Sequence, residues 1–157
     1  MKIRKGLLAA CIAVPLAVGG LSALITRESM KVFETLAKPP LSPPGWLFPV
    51  AWTILYILMG IASYIVITSG KPQAVTDRAL WLYGLQLVFN FFWPIFFFSL
   101  SMYLFAFIWL LVLWILILLT ALAFYRIRPA AGYLLIPYLL WVAFAGYLNI
   151  GIFILNR

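Results

Sequence analysis

The chain has 157 residues, of which 67% are hydrophobic and only 9% are charged, and its formal net charge is +8. Soluble domains are about 45–50% apolar and about 25% charged. Eleven basic and three acidic side chains therefore cannot coat a water-soluble protein of this size. The absence of histidine and the single cysteine exclude His-based catalytic triads, a His-ligated zinc or haem, and a disulfide framework within the chain. Composition indicates a membrane protein without a metal site.

Five continuous apolar stretches contain no Asp, Glu, Lys or Arg and are long enough to cross a bilayer. Transmembrane β-strands would alternate in hydrophobicity over about 10 residues, whereas these stretches are apolar throughout. The sequence therefore predicts an all-α integral membrane protein, a single domain over residues 1–157 that forms a five-transmembrane-helix bundle. The predicted spans are residues 6–26, 44–69, 79–98, 102–125 and 131–155.

Basic residues are distributed unevenly between the two sides that these spans define. The amino-terminal tail and the loops 70–78 and 126–130 carry seven Lys and Arg, whereas the loop 27–43 and the carboxyl tail carry four. Because basic loops remain cytoplasmic, we predict a cytoplasmic amino terminus and an outside carboxyl terminus in a bacterial cell membrane. The lipid membrane is the expected environment, and the scattered charge does not indicate a nucleic-acid partner.

The longest loop, residues 27–43, is predicted to carry a short amphipathic helix that lies flat. The charged face consists of Arg27, Lys31, Glu34 and Lys38, and the apolar face consists of Met30, Phe33, Leu36 and Ala37. Prolines at 39, 40, 43 and 44 then prevent helix continuation and favour an extended linker. Two interpretations are open: an interfacial helix with a rigid linker, or a lid over a cavity that opens on this side.

The polar groups inside the spans are amides and hydroxyls, so a proton pump with a buried carboxylate relay is not expected. Gln86, Asn90 and Trp93 share one face of the third span at i, i+4 and i+7, and Asn149 lies in the fifth. Such amides can contribute to a ligand site. They can equally connect helices, since interhelical hydrogen bonds are worth about 0.6 kcal/mol on average.

Prolines and small residues in the spans predict a cavity. Pro49, Pro94 and Pro137 each remove a helical hydrogen bond, so we expect kinks that splay the second, third and fifth spans. Small residues would allow close approach of a ligand or of a neighbouring helix. They are Gly60, Ala145 and Gly146.

Seven tryptophans are the other anomaly of the sequence. Trp46, Trp81 and Trp109 are assigned to interfacial belts, and Trp52, Trp93, Trp114 and Trp141 are expected to lie deeper. Helical spacing places Trp52 with Tyr56 on one stripe, and Trp141 with Ala145 and Asn149 on another. A cavity walled by such rings and a few amides suits a flat, apolar ligand. Core packing is the alternative role for these tryptophans.

Three segments, in this order and spacing, resemble the tryptophan-rich sensory protein (TspO/MBR) family, also called the translocator protein or peripheral benzodiazepine receptor family. They are KPPLSPPGWLFPVAWTILYILMGIASY at 38–64, LQLVFNFFWPIFFF at 85–98 and LLIPYLLWVAFAGYLNIGI at 134–152. The resemblance implies a five-helix bundle, commonly a homodimer. It also implies a pocket under the first loop that binds porphyrins and other tetrapyrroles, sterols in some members, and benzodiazepine-type ligands.

By this resemblance, the pocket residues correspond to Trp46, Trp52, Asn90, Trp93, Trp141, Ala145 and Leu148. Tyr56, Gln86 and Asn149 join the candidate site through the helical stripes above. Some bacterial members are credited with light-dependent protoporphyrin breakdown by two tryptophans, which correspond to Trp52 and Trp141. Two departures stand out: Leu41 replaces the loop tryptophan of many members, and no Lys or Arg follows Tyr147 within five residues as the sterol motif requires.

Three functions therefore follow as hypotheses. The first is a membrane protein that binds protoporphyrin IX or a related tetrapyrrole for sensing, sequestration or transport in a stress response, with no cofactor required. The second is an enzyme that degrades protoporphyrin IX with light and oxygen. The third is a non-catalytic assembly or adaptor subunit whose tryptophans only pack.

Overall fold

The computed structural model describes residues 2–157, and every regular element in that range is helical. The elements are α1 (Lys5–Thr26), α2 (Met30–Phe33), α3 (Leu47–Ile67), α4 (Gln73–Pro94), a π-helix (Ile95–Ser99), α5 (Tyr103–Ile127), α6 (Pro129–Tyr133) and α7 (Ile136–Leu155). Five segments are long and apolar enough to cross a membrane: α1, α3, α4 with the π-helix, α5, and α6 with α7. The predicted all-α architecture with five spans is confirmed.

The span boundaries differ from the predicted ones mainly at the start of the third span. Helix α4 begins at Gln73 rather than at residue 79, directly after Pro72, whose ψ of 142° is non-helical. The first turns carry Asp77 and Arg78, and Gln73 Nε2 donates a hydrogen bond to Asp77 Oδ1 at 2.6 Å. Charge marks the limit of the apolar segment, but it does not end a helix that continues into the polar region.

Helices α1 and α3 approach each other closely at Gly60. A Cβ at this position would lie 2.5 Å from Ile12 Cα and 2.7 Å from the Cys11 carbonyl oxygen. Only glycine therefore allows this backbone contact. Helix α1 also packs on α4, while α5 lies against α4, α6 and α7.

The π-helix follows directly after Pro94 and distinguishes the third span from the others. Proline lacks the N–H that would bond the carbonyl of Asn90, and the next five residues adopt the wider π geometry. Ser22 of α1 donates its hydroxyl to the carbonyl of Phe91 at 2.8 Å. The predicted disturbance at Pro94 is thus a change of helix type that a neighbouring helix supports.

Of the other two predicted kinks, the one at Pro49 is wrong, and the one in the fifth span takes the form of a break directly before Pro137. Pro49 lies in the first turn of α3, where a backbone N–H has no intrahelical partner in any case. Pro137 is the second residue of α7, so the fifth span is divided into α6 and α7 and the proline starts a new helix. A proline absent from the prediction, Pro15, lies buried inside α1.

Because successive spans cross in opposite directions, alternate connecting segments lie at the same end of the bundle. At the basic end, Arg4 N–H donates to the Tyr64 hydroxyl at 2.9 Å, and Arg128 Nη2 donates to the Ser69 carbonyl at 2.8 Å. At the opposite end, which we call the loop end, residues 27–43 meet the carboxyl terminus. The seven basic residues counted on one side of the sequence thus share one end of the fold.

Candidate ligand-binding site

Long side chains from α3, α4 and α7 meet in the interior of the bundle. Helix α7 packs its backbone on α5, whereas side chains bridge it to α3 and α4. Most of the bridging residues were predicted as site residues. They are Trp52, Tyr56, Gln86, Asn90, Trp93, Trp141 and Asn149, to which the structure adds Tyr138.

A chain of four hydrogen-bonded side chains crosses this interior. Tyr56 donates its hydroxyl to Asn90 Oδ1 at 2.9 Å, Asn90 Nδ2 donates to the Tyr138 hydroxyl at 2.6 Å, and Tyr138 donates to Gln86 Oε1 at 2.7 Å. All four side chains are buried. Because each donor or acceptor removed would leave a buried partner unpaired, the chain fixes the relative positions of α3, α4 and α7.

A second polar contact lies nearer the loop end. Trp93 Nε1 donates to Asn149 Oδ1 at 3.0 Å, and Asn149 Nδ2 donates to the carbonyl of Tyr103 at 2.8 Å. This contact ties α4, α7 and the start of α5 together. The interhelical role considered for the amides is therefore what Gln86, Asn90 and Asn149 perform in this structure.

Aromatic rings form the wall beside the polar chain. Trp52 stacks on Tyr56 with centroids 5.5 Å apart and meets the edge of Tyr138 at 6.1 Å. Trp141 contacts Phe48 edge-on at 5.9 Å. The predicted pairing of Trp52 with Tyr56 is confirmed, and the rings of α3 face those of α7.

Trp141 differs from Trp93, Trp109 and Trp114, which are also partly buried, in that its N–H has no acceptor in the part of the chain that the structure describes. Trp109 and Trp114 donate to the carbonyls of Phe89 and Leu139, at 2.8 and 3.0 Å. Trp141 Nε1 is buried, and among residues 2–157 it has no hydrogen-bond acceptor. An unpaired buried donor costs about 1–3 kcal/mol, so this indole offers a hydrogen bond to an additional group.

The first loop covers the site through Phe33. Its ring contacts Phe48 at 6.3 Å and Phe97 at 5.9 Å. Phe48 touches Trp141, and Phe97 stacks on Trp93 at 5.0 Å, so one ring separates Phe33 from each of these tryptophans. Helix α2 is the predicted amphipathic helix reduced to a single turn, and its apolar side faces the bundle.

The remaining predicted residues lie around or outside this cluster. Ala145 and Leu148 are buried on α7, whereas Trp46 at the start of α3 is 67% exposed and lies outside the cluster. Gly146 faces α5, since a Cβ there would be 3.7 Å from Leu110. Together with Trp114 it lines a separate groove of about 350 Å³ between α5 and α7.

Tyr138 is the residue that the sequence analysis missed. It is 1% exposed and takes part in two of the three hydrogen bonds of the polar chain. The available signal was its position one helical turn before Trp141, on the same face of α7.

Comparison with known proteins agrees with this architecture. The sequence pattern of the TspO/MBR family matches residues 11–155. The chain is 42% identical to the tryptophan-rich protein TspO of Chlorobaculum tepidum over 95% of both chains. It is 37% identical to the Archaeoglobus fulgidus protein of the same name, over 95% of this chain and 96% of the other. With the Bos taurus translocator protein it shares 38% identity over 83% of this chain and 79% of the other. The chain is therefore a membrane protein of the TspO/MBR family.

Proposed function

We propose that this protein binds protoporphyrin IX or a related flat, lipophilic tetrapyrrole between α3, α4 and α7, for sensing, sequestration or transport in a stress response. The main observation in support of this proposal is the buried Trp141 N–H, which has no acceptor among the described residues and lies in a wall of aromatic rings. A similar protein of Cereibacter sphaeroides is named tryptophan-rich sensory protein, and the bovine relative is named translocator protein. Those names agree with the sensing and transport parts of the proposal.

The chemistry of the site favours this ligand class. Indole and phenol rings offer flat faces to a macrocycle, and the amides supply polar groups without formal charge. A carbonyl or carboxylate oxygen of the ligand would accept the hydrogen bond that Trp141 Nε1 leaves open. Since the chain contains no histidine, free-base porphyrin suits it better than haem with a His axial ligand.

Quenching of intrinsic tryptophan fluorescence by protoporphyrin IX in detergent tests the proposal. We expect saturable quenching that weakens in the double variant Trp52→Ala with Trp141→Ala. The matched control replaces Trp109 and Trp114, whose N–H groups already have carbonyl partners. Equal affinity in the two double variants would contradict the assignment of the site. No saturable binding together with a stable co-purifying protein would favour an assembly or adaptor role.

A second candidate function is light- and oxygen-dependent degradation of protoporphyrin IX. The stacked pair of Trp52 and Tyr56 favours it, because an electron-rich indole against an excited porphyrin can react with the oxygen species that the porphyrin generates. Illumination of the complex should bleach the porphyrin absorbance faster than in Trp52→Phe with Trp141→Phe. Equal bleaching rates would exclude a reaction directed by these tryptophans.

The proposal includes the membrane orientation and the oligomeric state. The basic end carries seven Lys and Arg, which assigns it to the cytoplasm. Ala9, Ala13 and Ala17 form an exposed small-residue stripe on α1, which suits a homodimer of closely packed helices. Accessibility of cysteines placed in the loops and chemical crosslinking in membranes test these two points separately.

A further inference from the structure

Asn156, the residue directly after α7, forms hydrogen bonds with both the backbone N–H and the backbone carbonyl of one residue of the first loop. Ala37 N–H donates to Asn156 Oδ1 at 3.0 Å, and Asn156 Nδ2 donates to the Ala37 carbonyl at 2.8 Å. Nδ2 also donates to the carbonyl of Ile152 at 2.8 Å, which fixes the side chain on α7. One carboxamide thus satisfies the donor and the acceptor of a loop residue.

Two further contacts hold the same stretch of loop against α7. The Tyr147 hydroxyl donates to the Pro40 carbonyl at 2.6 Å. Gly151 lies under Pro39, and a Cβ at Gly151 would be 2.7 Å from the Cγ of that proline. We call the contacts of residues 37–40 with Tyr147, Gly151 and Asn156 the clamp.

The backbone conformation of the loop next to the clamp is intrinsically unfavourable. Leu41, the residue after the clamp, has a φ of 70° and is 84% exposed, although leucine disfavours the left-handed region. Pro39 and Pro40 have no N–H, so only Ala37 and Lys38 carry backbone donors in the clamped segment, and the Ala37 donor bonds Asn156. Contacts with α7 must therefore offset the cost of this conformation.

We infer that Asn156 is the positioning residue that holds the first loop closed over the α3–α4–α7 site, and that release of the clamp admits molecules from the loop end. The clamp joins the loop to α7, and Phe33 joins it to the rings over Trp93 and Trp141. Of these two attachments, the clamp is the exposed one, so water competes for its hydrogen bonds. The effect of the clamp on ligand entry rests on the proposed function, whereas the closure of the loop by Asn156 does not.

Thiol labelling tests the closure without any ligand. Ala145→Cys places a thiol on α7 one turn beyond Trp141, and native Cys11, buried between α1 and α3, reports general opening of the bundle. In this background Asn156→Ala should raise the labelling rate at position 145 by a water-soluble methanethiosulfonate about tenfold. The rate at Cys11 should stay unchanged. The matched control is Leu155→Ala, an exposed neighbour without a clamp contact, which should alter neither rate.

Labelling at position 145 that stays at its original rate, or that rises together with labelling at Cys11, would overturn the inference. Hydrogen exchange supplies a second measurement: Asn156→Ala should accelerate exchange of the Ala37 amide and spare that of Leu36, which donates to the Phe33 carbonyl. Unaltered exchange at Ala37 would also overturn it. Protoporphyrin IX should leave Asn156→Ala several-fold faster. Failure of the unsubstituted protein to bind the porphyrin would refute the proposed function and leave the thiol experiment as the test of closure.

Discussion

The side-chain amide of Asn90 donates to the hydroxyl of Tyr138 at 2.6 Å, and this contact joins α4 to α7 in the interior of the bundle. The same amide accepts a hydrogen bond from Tyr56 on α3. One side chain of α4 therefore connects three spans.

Asn90→Ala should destabilise the protein by about 1–3 kcal/mol, because it leaves the hydroxyls of Tyr56 and Tyr138 without their amide partner in a buried site. Thermal unfolding in detergent measures the effect. Gln73→Ala removes an exposed amide of the same helix and should alter the midpoint little. Equal midpoints for the two variants would mean that the polar chain does not hold the helices together.

Trp141→Phe and Trp114→Phe should differ in opposite ways: the first should weaken porphyrin binding and keep stability, and the second should lower stability and keep binding. Trp141→Phe removes a buried N–H that lacks an acceptor, so stability should be kept or increased while protoporphyrin binding weakens. Trp114→Phe loses the hydrogen bond to the Leu139 carbonyl and should lower stability by about 1 kcal/mol while binding is kept. Unfolding midpoints and fluorescence titrations of both variants are the measurements. Both variants lose the same ring volume, so a loss of stability in Trp141→Phe as large as that in Trp114→Phe would contradict the absence of an acceptor for the Trp141 N–H.

Gly60→Ala should disrupt the contact of α1 with α3, since the added Cβ would meet backbone atoms of Ile12 and Cys11 that cannot move independently. We expect a loss of at least about 1–3 kcal/mol in unfolding free energy. The control is Gly84→Ala on α4, where a Cβ meets nothing within 4 Å and the gain in helix propensity is about 1 kcal/mol. A stable Gly60→Ala protein would require a different packing of these helices.

Ser22→Ala should destabilise the third span by about 1 kcal/mol, because the carbonyl of Phe91 loses the hydroxyl that donates to it beside Pro94. Thr53→Ala removes an exposed hydroxyl that bonds only within its own helix, to the Pro49 carbonyl, and should be close to neutral. Unfolding midpoints compare the two. If both variants behave alike, Ser22 does not support the π-helix.

The sequence was sufficient for the features that depend on local pattern. Apolar length gave five spans, and helical spacing paired Trp52 with Tyr56. Spacing from Trp141 places Tyr138 on the right face of α7, but its role could not be read in this way, because its hydrogen-bond partners lie on another helix.

Two further features depend on the tertiary structure. Pro49 and Pro137 have the same local chemistry as Pro94, but their effect is decided by where each helix starts. The open N–H of Trp141 is a property of the atoms around it, which no spacing of residues reveals.

The π-helix after Pro94 also sets how the candidate site can diverge among relatives. A π-turn holds one more residue than an α-turn, so every side chain beyond it is rotated by roughly 100° from its regular α-helical direction. Phe97 and Phe98 lie within the π-helix, where this rotation accumulates, and both rings contact Phe33. Loss of a single residue from 95–99 would return the segment to ordinary winding and swing both rings away from the loop. Length changes in this short stretch would therefore alter the cover of the site more than most substitutions within it.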